Sequence, residues 1–239
     1  MLAAHSTDQV CVQHPLVSED TLASRQALEA CGVRVREDGE RWWVQRKRFG
    51  PPNTVLDCAN SGSSLRFLTA QMALLPGTVV LDGDESLRAR PNTPLLDALR
   101  CLGAEVDSTD GCAPLTVRGP VQGGEVHLSG ALSSQFASAL LLALPFAEAS
   151  STLTVGAPVR SRPYFDLSLA MAQTAGLSLV LKESATGDLS VLIPGSQVLQ
   201  CGEIRVGGDW SSASLMMVAA LVSGGSVSIA GLDALSTQG

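Results

Sequence analysis

Four short segments carry the side chains that could hold or transform a small molecule: Asn60-Ser61-Gly62-Ser63-Ser64-Leu65-Arg66, Arg88-Ala89-Arg90-Pro91, Ser133-Ser134-Gln135 and Ser161-Arg162-Pro163-Tyr164. They supply hydroxyls, an amide, guanidiniums and a glycine. This set recognises anions, because a guanidinium offers a planar fork of donors to phosphate or carboxylate, and glycine lets backbone approach a ligand where a side chain would intrude. Metal and disulfide chemistry are not suggested. Cys11, Cys31, Cys58, Cys101, Cys112 and Cys201 form no C-x-x-C pair, and His5, His14 and His127 are scattered, so no zinc site or disulfide framework is expected and reduced cytoplasmic thiols fit best.

The elements that position these residues repeat along the chain, and repeats decide the fold before local structure does. Ser63, Ser133 and Ser211 each open the same plan: a Ser-Ser pair, an apolar Ala/Leu helix, a Pro or Gly break, then a short β-branched strand. These helices are apolar nearly all round, so they are expected to be buried on every side. A Ser at each start suits an N-cap. An amphipathic surface helix follows in each unit: Ser18 to Gly32, a helix opened by Thr93-Pro94 with Thr93 as cap and closed by Gly103, and Pro163 to Gly176. After each come two alternating stretches, VRVRED and RWWVQ, AEVDS and PLTVRG, LSLVL and LSVLI, which read as half-buried strands.

The expected fold is therefore α/β, with repeated βαβαββ-type units of roughly 70 residues around buried parallel helices. Helices packed parallel bring their N-termini, with partial positive charge and free N–H groups, to one edge. A phosphorylated or carboxylated small molecule is the natural ligand there. Two ends of the pattern are ragged: the first unit begins with Met1-Leu-Ala-Ala where a buried helix is expected, and the fourth stops after its first strand. A stretch of a longer chain is expected, with residues 1–207 as a substrate-binding domain and 208–239 as the start of a second.

Composition bounds the rest. With 239 residues, 45% hydrophobic and 16% charged, the chain can bury a large core. A net charge of −7 and the lack of a long basic run argue against nucleic acid. No apolar run approaches the roughly 20 residues that span a bilayer, and no signal-peptide pattern opens the chain. No cofactor is implied.

The same four segments, in this order, resemble the motifs of 5-enolpyruvylshikimate-3-phosphate synthases: N-[AS]-G-[TS]-x-x-R at Asn60 to Arg66, R-x-R-P at Arg88 to Pro91, the Ser133-Ser134-Gln135 motif, and S-x-P-Y at Ser161 to Tyr164. Asp209-Trp210-Ser211-Ser212-Ala213 resembles the segment where that family's chain crosses between its domains. The resemblance spans essentially the whole chain. It implies the inside-out α/β barrel of enolpyruvyl transferases and transfer of the enolpyruvyl group of phosphoenolpyruvate to the 5-hydroxyl of shikimate 3-phosphate.

Carried over residue by residue, the resemblance implies that Ser133, Ser134, Gln135, Ser161 and Tyr164 contact shikimate 3-phosphate and that Gly62, Arg90 and Gln135 contact phosphoenolpyruvate. Asn60, Ser63 and Arg66 are expected to brace these groups. The family's Lys-Ser-x-Ser-x-Arg motif is expected before Met1 and its catalytic acidic and lysine residues beyond Gly239, so no catalytic residue is assigned within the chain and this polypeptide alone is expected to be inactive.

Two rival functions were weighed. The sister transferase acting on a UDP-amino sugar carries a reactive Cys in the loop before its R-P motif, where this chain has Gly83-Asp84-Glu85-Ser86-Leu87. A non-catalytic binding module of the same fold is disfavoured by the complete set of contact residues. The apolar helix from Ser211 to Ser223 matches the helix that unit one lacks, and it is expected to fill that gap within the chain or by swapping into a neighbour.

Overall fold

A computed structural model of the chain describes residues 1–238. In chain order the elements are β1 (Val10–Gln13), α1 (Glu19–Ala30), β2 (Val33–Asp38), β3 (Arg41–Arg46), β4 (Leu56–Asp57), α2 (Gly62–Met72), β5 (Gly77–Asp82), α3 (Glu85–Arg88), α4 (Thr93–Cys101), β6 (Glu105–Thr109), β7 (Cys112–Gly119), β8 (Gly124–Ser129), α5 (Ser134–Ala143), β9 (Ser151–Gly156), α6 (Arg162–Thr174), β10 (Val180–Glu183), β11 (Leu189–Ile193), β12 (Glu203–Arg205) and α7 (Trp210–Ser223).

Three four-stranded sheets share one plan: β12-β1-β3-β2, β4-β5-β7-β6 and β8-β9-β11-β10. In each, the first two strands run parallel and the remaining pairs are antiparallel. The parallel pairs β4–β5 and β8–β9 are crossovers that enclose α2 and α5, as a parallel connection requires. The first sheet borrows its leading strand, because β12 comes from residues 203–205 and pairs with β1 through Cys11–Glu203. This closure was not visible as a repeat in the sequence.

The apolar helices are interior, as their all-round hydrophobicity requires. Residues Phe136 to Ala143 of α5 are all buried, and α2 buries Leu65, Leu68, Ala70 and Met72. Full burial of each such leucine contributes about 1.5–3 kcal/mol relative to exposure. Their directions follow from two bonds. Near the starts the Gln135 amide donates to Ser63 Oγ at 2.9 Å, and near the ends the Gln71 amide donates to the Leu142 carbonyl at 2.8 Å. The two helices are therefore parallel, with their N-termini at one edge.

Of the three surface helices only α1 is capped by a side chain. Ser18 and Thr21 form a capping box on α1. At α4, Thr93 lies inside the helix and Asn92 takes the N-cap position, yet its side chain makes no capping bond. The third pair of strands begins later than LSLVL suggests, with β10 holding only Val180 and Leu181 of that stretch.

Two expectations for the fourth unit are corrected. The stretch Ser226 to Ala230 forms no strand, because no neighbouring strand is present to pair with its backbone. Helix α7 does form, with Asp209 as its cap, but it does not fill the gap in unit one: Leu215 is 71% and Leu221 82% exposed, and Met216 and Val218 also face solvent. Its start is held beside α6 by a 3.1 Å contact between Tyr164 Oη and Ser211 Oγ, and Trp210 donates its indole N–H to the Asp233 carbonyl. The gap is a groove of about 490 Å³ between α1, α2 and the first sheet, lined by Leu28, Val35, Trp42, Val44 and Phe67.

Candidate functional site

The common edge of α2 and α5 is where the sequence-predicted residues meet. Strand β4 ends at Asp57, whose carboxylate accepts from the Ala59 N–H at 2.8 Å, and the turn delivers Ser61 as N-cap of α2, its Oγ accepting from the Ser64 N–H at 3.1 Å. Gly62 follows as the first helical residue. A Cβ built on it would lie 3.3 Å from Arg90 Nη1 and 3.9 Å from both Arg66 Nη1 and Gln135 Oε1. Glycine thus leaves the space across which two guanidiniums and an amide converge.

Each converging group is braced. Arg90 Nη2 donates to Asn60 Oδ1 at 2.6 Å and to Ser86 Oγ at 3.2 Å. Asn60 in turn donates to Asp84 Oδ2 at 2.7 Å, and Asp84 caps α3 by accepting from the Leu87 N–H at 2.7 Å. Arg66 donates through Nε to Asn92 Oδ1 at 3.0 Å, through Nη2 to the Pro91 carbonyl at 3.4 Å, and through Nη1 to Gln135 Oε1. Its guanidinium also lies 4.7 Å from the centre of the Phe136 ring. The Gln135 amide is shared between Arg66 and Ser63 and spans the seam between the helices.

Charge at this edge is uncompensated. Among the described residues no carboxylate lies within 4.0 Å of the Arg66 or Arg90 guanidinium. Arg88, two residues from Arg90, is the contrast: it grips Asp82 through two bonds, and that contact holds the Asp82 carboxyl below its usual range. Burial, and then the neighbouring Arg90 charge, lower the Arg66 pKa from its usual value. An arriving anion would offset the repulsion between the two guanidiniums.

The second group of predicted residues sits one helix over. Exposed Ser133 caps α5, accepting from the Gln135 N–H at 3.3 Å, while Ser134 is buried. Ser133, Ser134, Ser129, Arg160 and Phe165 line a hollow of about 10 Å³, which is room for a single water. The hollow is too small to enclose a phosphate. Ser161 occupies the N-cap position of α6 in a left-handed conformation (φ 52°) and makes no capping bond, so its hydroxyl is not committed to the helix. Tyr164 is 43% exposed and bonds Ser211, at the start of α7.

The structure thus brings Gly62, Arg90, Gln135, Asn60, Ser63 and Arg66 to one place, with Arg90 bonded to Asn60 and Arg66 to Gln135 and through it to Ser63. Ser133 and Ser134 stand on the same helix as Gln135. Ser161 and Tyr164 lie on the adjacent α6, which is tied to α5 by a 2.8 Å contact between the Ser168 and Ser138 hydroxyls. Sequence reasoning missed Asn92 and Arg160. Thr93 ahead of Pro94 reads as the cap and draws attention from Asn92, and Arg160 precedes the recognised motif by one residue; Arg160, unlike Arg162 with Asp166 and Glu183, has no carboxylate partner among the described residues. No group of three or more His, Cys, Asp or Glu side chains among the described residues could hold a metal ion, and no described helix is long and apolar enough to cross a membrane.

Three like α/β units with buried parallel helices, two of whose starts meet two unneutralised guanidiniums at one edge, define the repeat fold of the enolpyruvyl transferases. Comparison with known proteins narrows the class. The family model described as EPSP synthase (3-phosphoshikimate 1-carboxyvinyltransferase) matches residues 1–239, and the chain belongs to that family. Relatives with the name 3-phosphoshikimate 1-carboxyvinyltransferase include those of Methanosarcina mazei, 44% identical over 94% of this chain and 53% of the relative, and Methanocorpusculum labreanum, 39% identical over 100% and 56%. A solved EPSP synthase from Acinetobacter baumannii superposes with a TM-score of 0.76 at 27% identity, covering 92% of this chain and 48% of that one. The chain spans about half the length of the relatives it matches.

Proposed function

We propose that this chain is the substrate-holding part of an enzyme that transfers the enolpyruvyl group of phosphoenolpyruvate to the 5-hydroxyl of shikimate 3-phosphate, releasing phosphate, on the route to chorismate and aromatic amino acids. The observation that carries this reading is the convergence of Arg66, Arg90 and Gln135 on Gly62 with no carboxylate beside the guanidiniums. In the proposal Arg90, the Gly62 backbone and Gln135 hold phosphoenolpyruvate, with Asn60, Ser63 and Arg66 as braces. Ser133 and Ser134 take the phosphate of shikimate 3-phosphate, joined by Ser161, while Gln135 and Tyr164 face its ring.

The chemistry fits this division of labour. Addition of a hydroxyl to the enol carbon gives a tetrahedral intermediate that expels phosphate, and charge builds on that phosphate as the bond breaks. Guanidiniums fixed before the reaction stabilise such charge without reorganising. The two substrates held at adjacent helix starts also turn a bimolecular encounter into a local one. In the proposal no residue of the described chain donates the proton or acts as base, residues 1–207 form the substrate-binding domain with a second domain beginning at 208, and the reaction runs in the cytoplasm.

The test is calorimetric titration of the chain with shikimate 3-phosphate and with phosphoenolpyruvate, beside Ser133→Ala and Gln135→Ala. Weak, mutation-sensitive binding of both and no turnover are expected. Equal heats for the variants and the parent, preference for UDP-N-acetylglucosamine, or full turnover by the chain would each overturn a stated part of the reading.

A further inference from the structure

Asn92 is completely buried, and every polar group it owns is engaged. Its N–H donates to the Gly111 carbonyl at 2.8 Å, in the turn between β6 and β7, and its carbonyl accepts from the Leu95 and Leu96 N–H groups at 2.9 and 3.1 Å. The residue is therefore fastened both to α4 and to a neighbouring hairpin. Its side chain forgoes the capping bond that an N-cap asparagine ordinarily makes. Instead Oδ1 accepts from Arg66 Nε at 3.0 Å, and Nδ2 donates to the Arg90 carbonyl at 2.8 Å.

We propose that Asn92 is a positioning residue of the anion cleft: one neutral amide, anchored to rigid structure, orients the Arg66 guanidinium and fixes the Arg90 main chain while leaving both positive charges free for a ligand. This rests on the reading of the cleft as the phosphoenolpyruvate site. The neutrality is the informative feature. Aspartate has the same shape, is an equally good N-cap, and would form a charge-assisted bond to Arg66 Nε. In place of the Nδ2–H bond, however, it would set a second oxygen against the Arg90 carbonyl. It would also cancel one of the two charges that the cleft presents, and every other acceptor on these guanidiniums, from Asn60, Ser86, Pro91 and Gln135, is likewise uncharged.

The test compares the full chain with Asn92→Asp and Asn92→Leu by titration of phosphoenolpyruvate and of shikimate 3-phosphate, by thermal melting, and by the nitrogen-15 correlation of the Arg66 Nε–H group. Asn92→Asp is expected to keep the protected Arg66 resonance and to melt somewhat lower than the parent, having lost the bond to the Arg90 carbonyl. It should bind phosphoenolpyruvate at least about tenfold more weakly, since a unit charge placed this close in a partly buried site is worth that much. Shikimate 3-phosphate affinity should change much less. Asn92→Leu should lose the protected resonance and weaken phosphoenolpyruvate as well.

Parent-like phosphoenolpyruvate binding by Asn92→Asp, or an equal loss for both ligands accompanied by a lower melting point in both variants, would overturn the proposal. If the parent binds neither ligand, the functional reading fails by itself. The positioning role is then decided by the Arg66 resonance: lost in Asn92→Leu and kept in Asn92→Asp it stands, unchanged in both it falls.

Discussion

Ser63 and Gln135 occupy the second position of two different buried helices, and the Gln135 amide donates to the Ser63 hydroxyl at 2.9 Å across the seam between them. One side chain thereby registers α2 against α5 at the end where the cleft opens. Because the same amide also accepts from Arg66, its two roles are coupled.

Cutting that bond should cost modest stability. Ser63→Ala and Gln135→Ala, combined in a double-mutant cycle by urea denaturation, are expected to show a coupling energy of about 1 kcal/mol, the usual worth of a neutral hydrogen bond. Gln135→Ala alone should lose more than Ser63→Ala, because it also strips an acceptor from the half-buried Arg66 guanidinium. Strictly additive losses would show that the seam is held by apolar packing alone.

Gly62→Ala separates shape from charge. The helix tolerates alanine at its first turn, so the unfolding free energy should stay within about 0.5 kcal/mol of the parent. The added Cβ, however, meets Arg90 Nη1 at 3.3 Å, so the guanidinium must shift from its contacts with Asn60 and Ser86. An affinity loss for phosphoenolpyruvate of about 1 kcal/mol, or about fivefold, is expected in a calorimetric titration, and undiminished binding would show that the cleft has slack at this point.

The repeat, the buried helices and the gathering of their starts at one edge were legible because each writes itself into local sequence: a Ser pair before an all-apolar helix needs no partner to be recognised. What escaped depends on partners distant in the chain. Strand β12 is only Glu203–Arg205, and nothing in those three residues announces that they complete the sheet begun at Val10. Asn92 went unremarked beside Thr93, the expected cap, because its fit to Arg66 and the Arg90 carbonyl exists only after α2 and α4 have met. The stretch Ser226 to Ala230 has strand composition, yet β structure needs a ladder partner and none is adjacent. Helix α7 formed where expected, but its placement follows from contacts at Tyr164 and Asp233 that no periodicity encodes.

Exposed α7 makes association, rather than folding, sensitive to its sequence. Leu221 and Val222 are each 82% exposed on a helix whose one buried residue is Ala213. Replacing both with glutamine removes apolar surface from water without opening a core cavity. The urea midpoint should move by no more than about 0.5 kcal/mol equivalent, while the onset of light scattering on heating moves upward. A large drop in stability instead would mean that α7 is packed in solution.

The stability of the whole domain should fall with acid before its carboxylates titrate. The His5 ring stacks on Phe146 with centroids 3.8 Å apart, meets Phe49 edge-on at 5.0 Å, and shares its Nε2 proton with the Gln71 amide oxygen, whose own amide reaches the Leu142 carbonyl. Burial first, with a smaller contribution from the nearby Arg46 charge, lowers the His5 pKa from 6.5 to about 3. The folded state therefore keeps His5 neutral where the unfolded chain takes up a proton, so its contribution is complete above pH 6.5 and is lost progressively as pH falls toward 3. Between pH 7 and pH 5 the loss from this group should reach about 2 kcal/mol. Asp82, Asp188 and Asp209, all held below the ordinary carboxylate range, titrate further down, whereas the buried Met1 amine, lowered from 8.0 to about 6, adds its own loss between pH 8 and pH 6, so the histidine's share is read as the difference between parent and variant. Urea midpoints of the parent should drop across the window, and those of His5→Phe should drop less steeply from a lower starting value, since Gln71 then lacks its partner at every pH and only the Met1 amine still titrates there. A parent curve as flat as that of the variant would show that the ring is reached by water, and that the end of the domain opposite the cleft is looser than its packing implies.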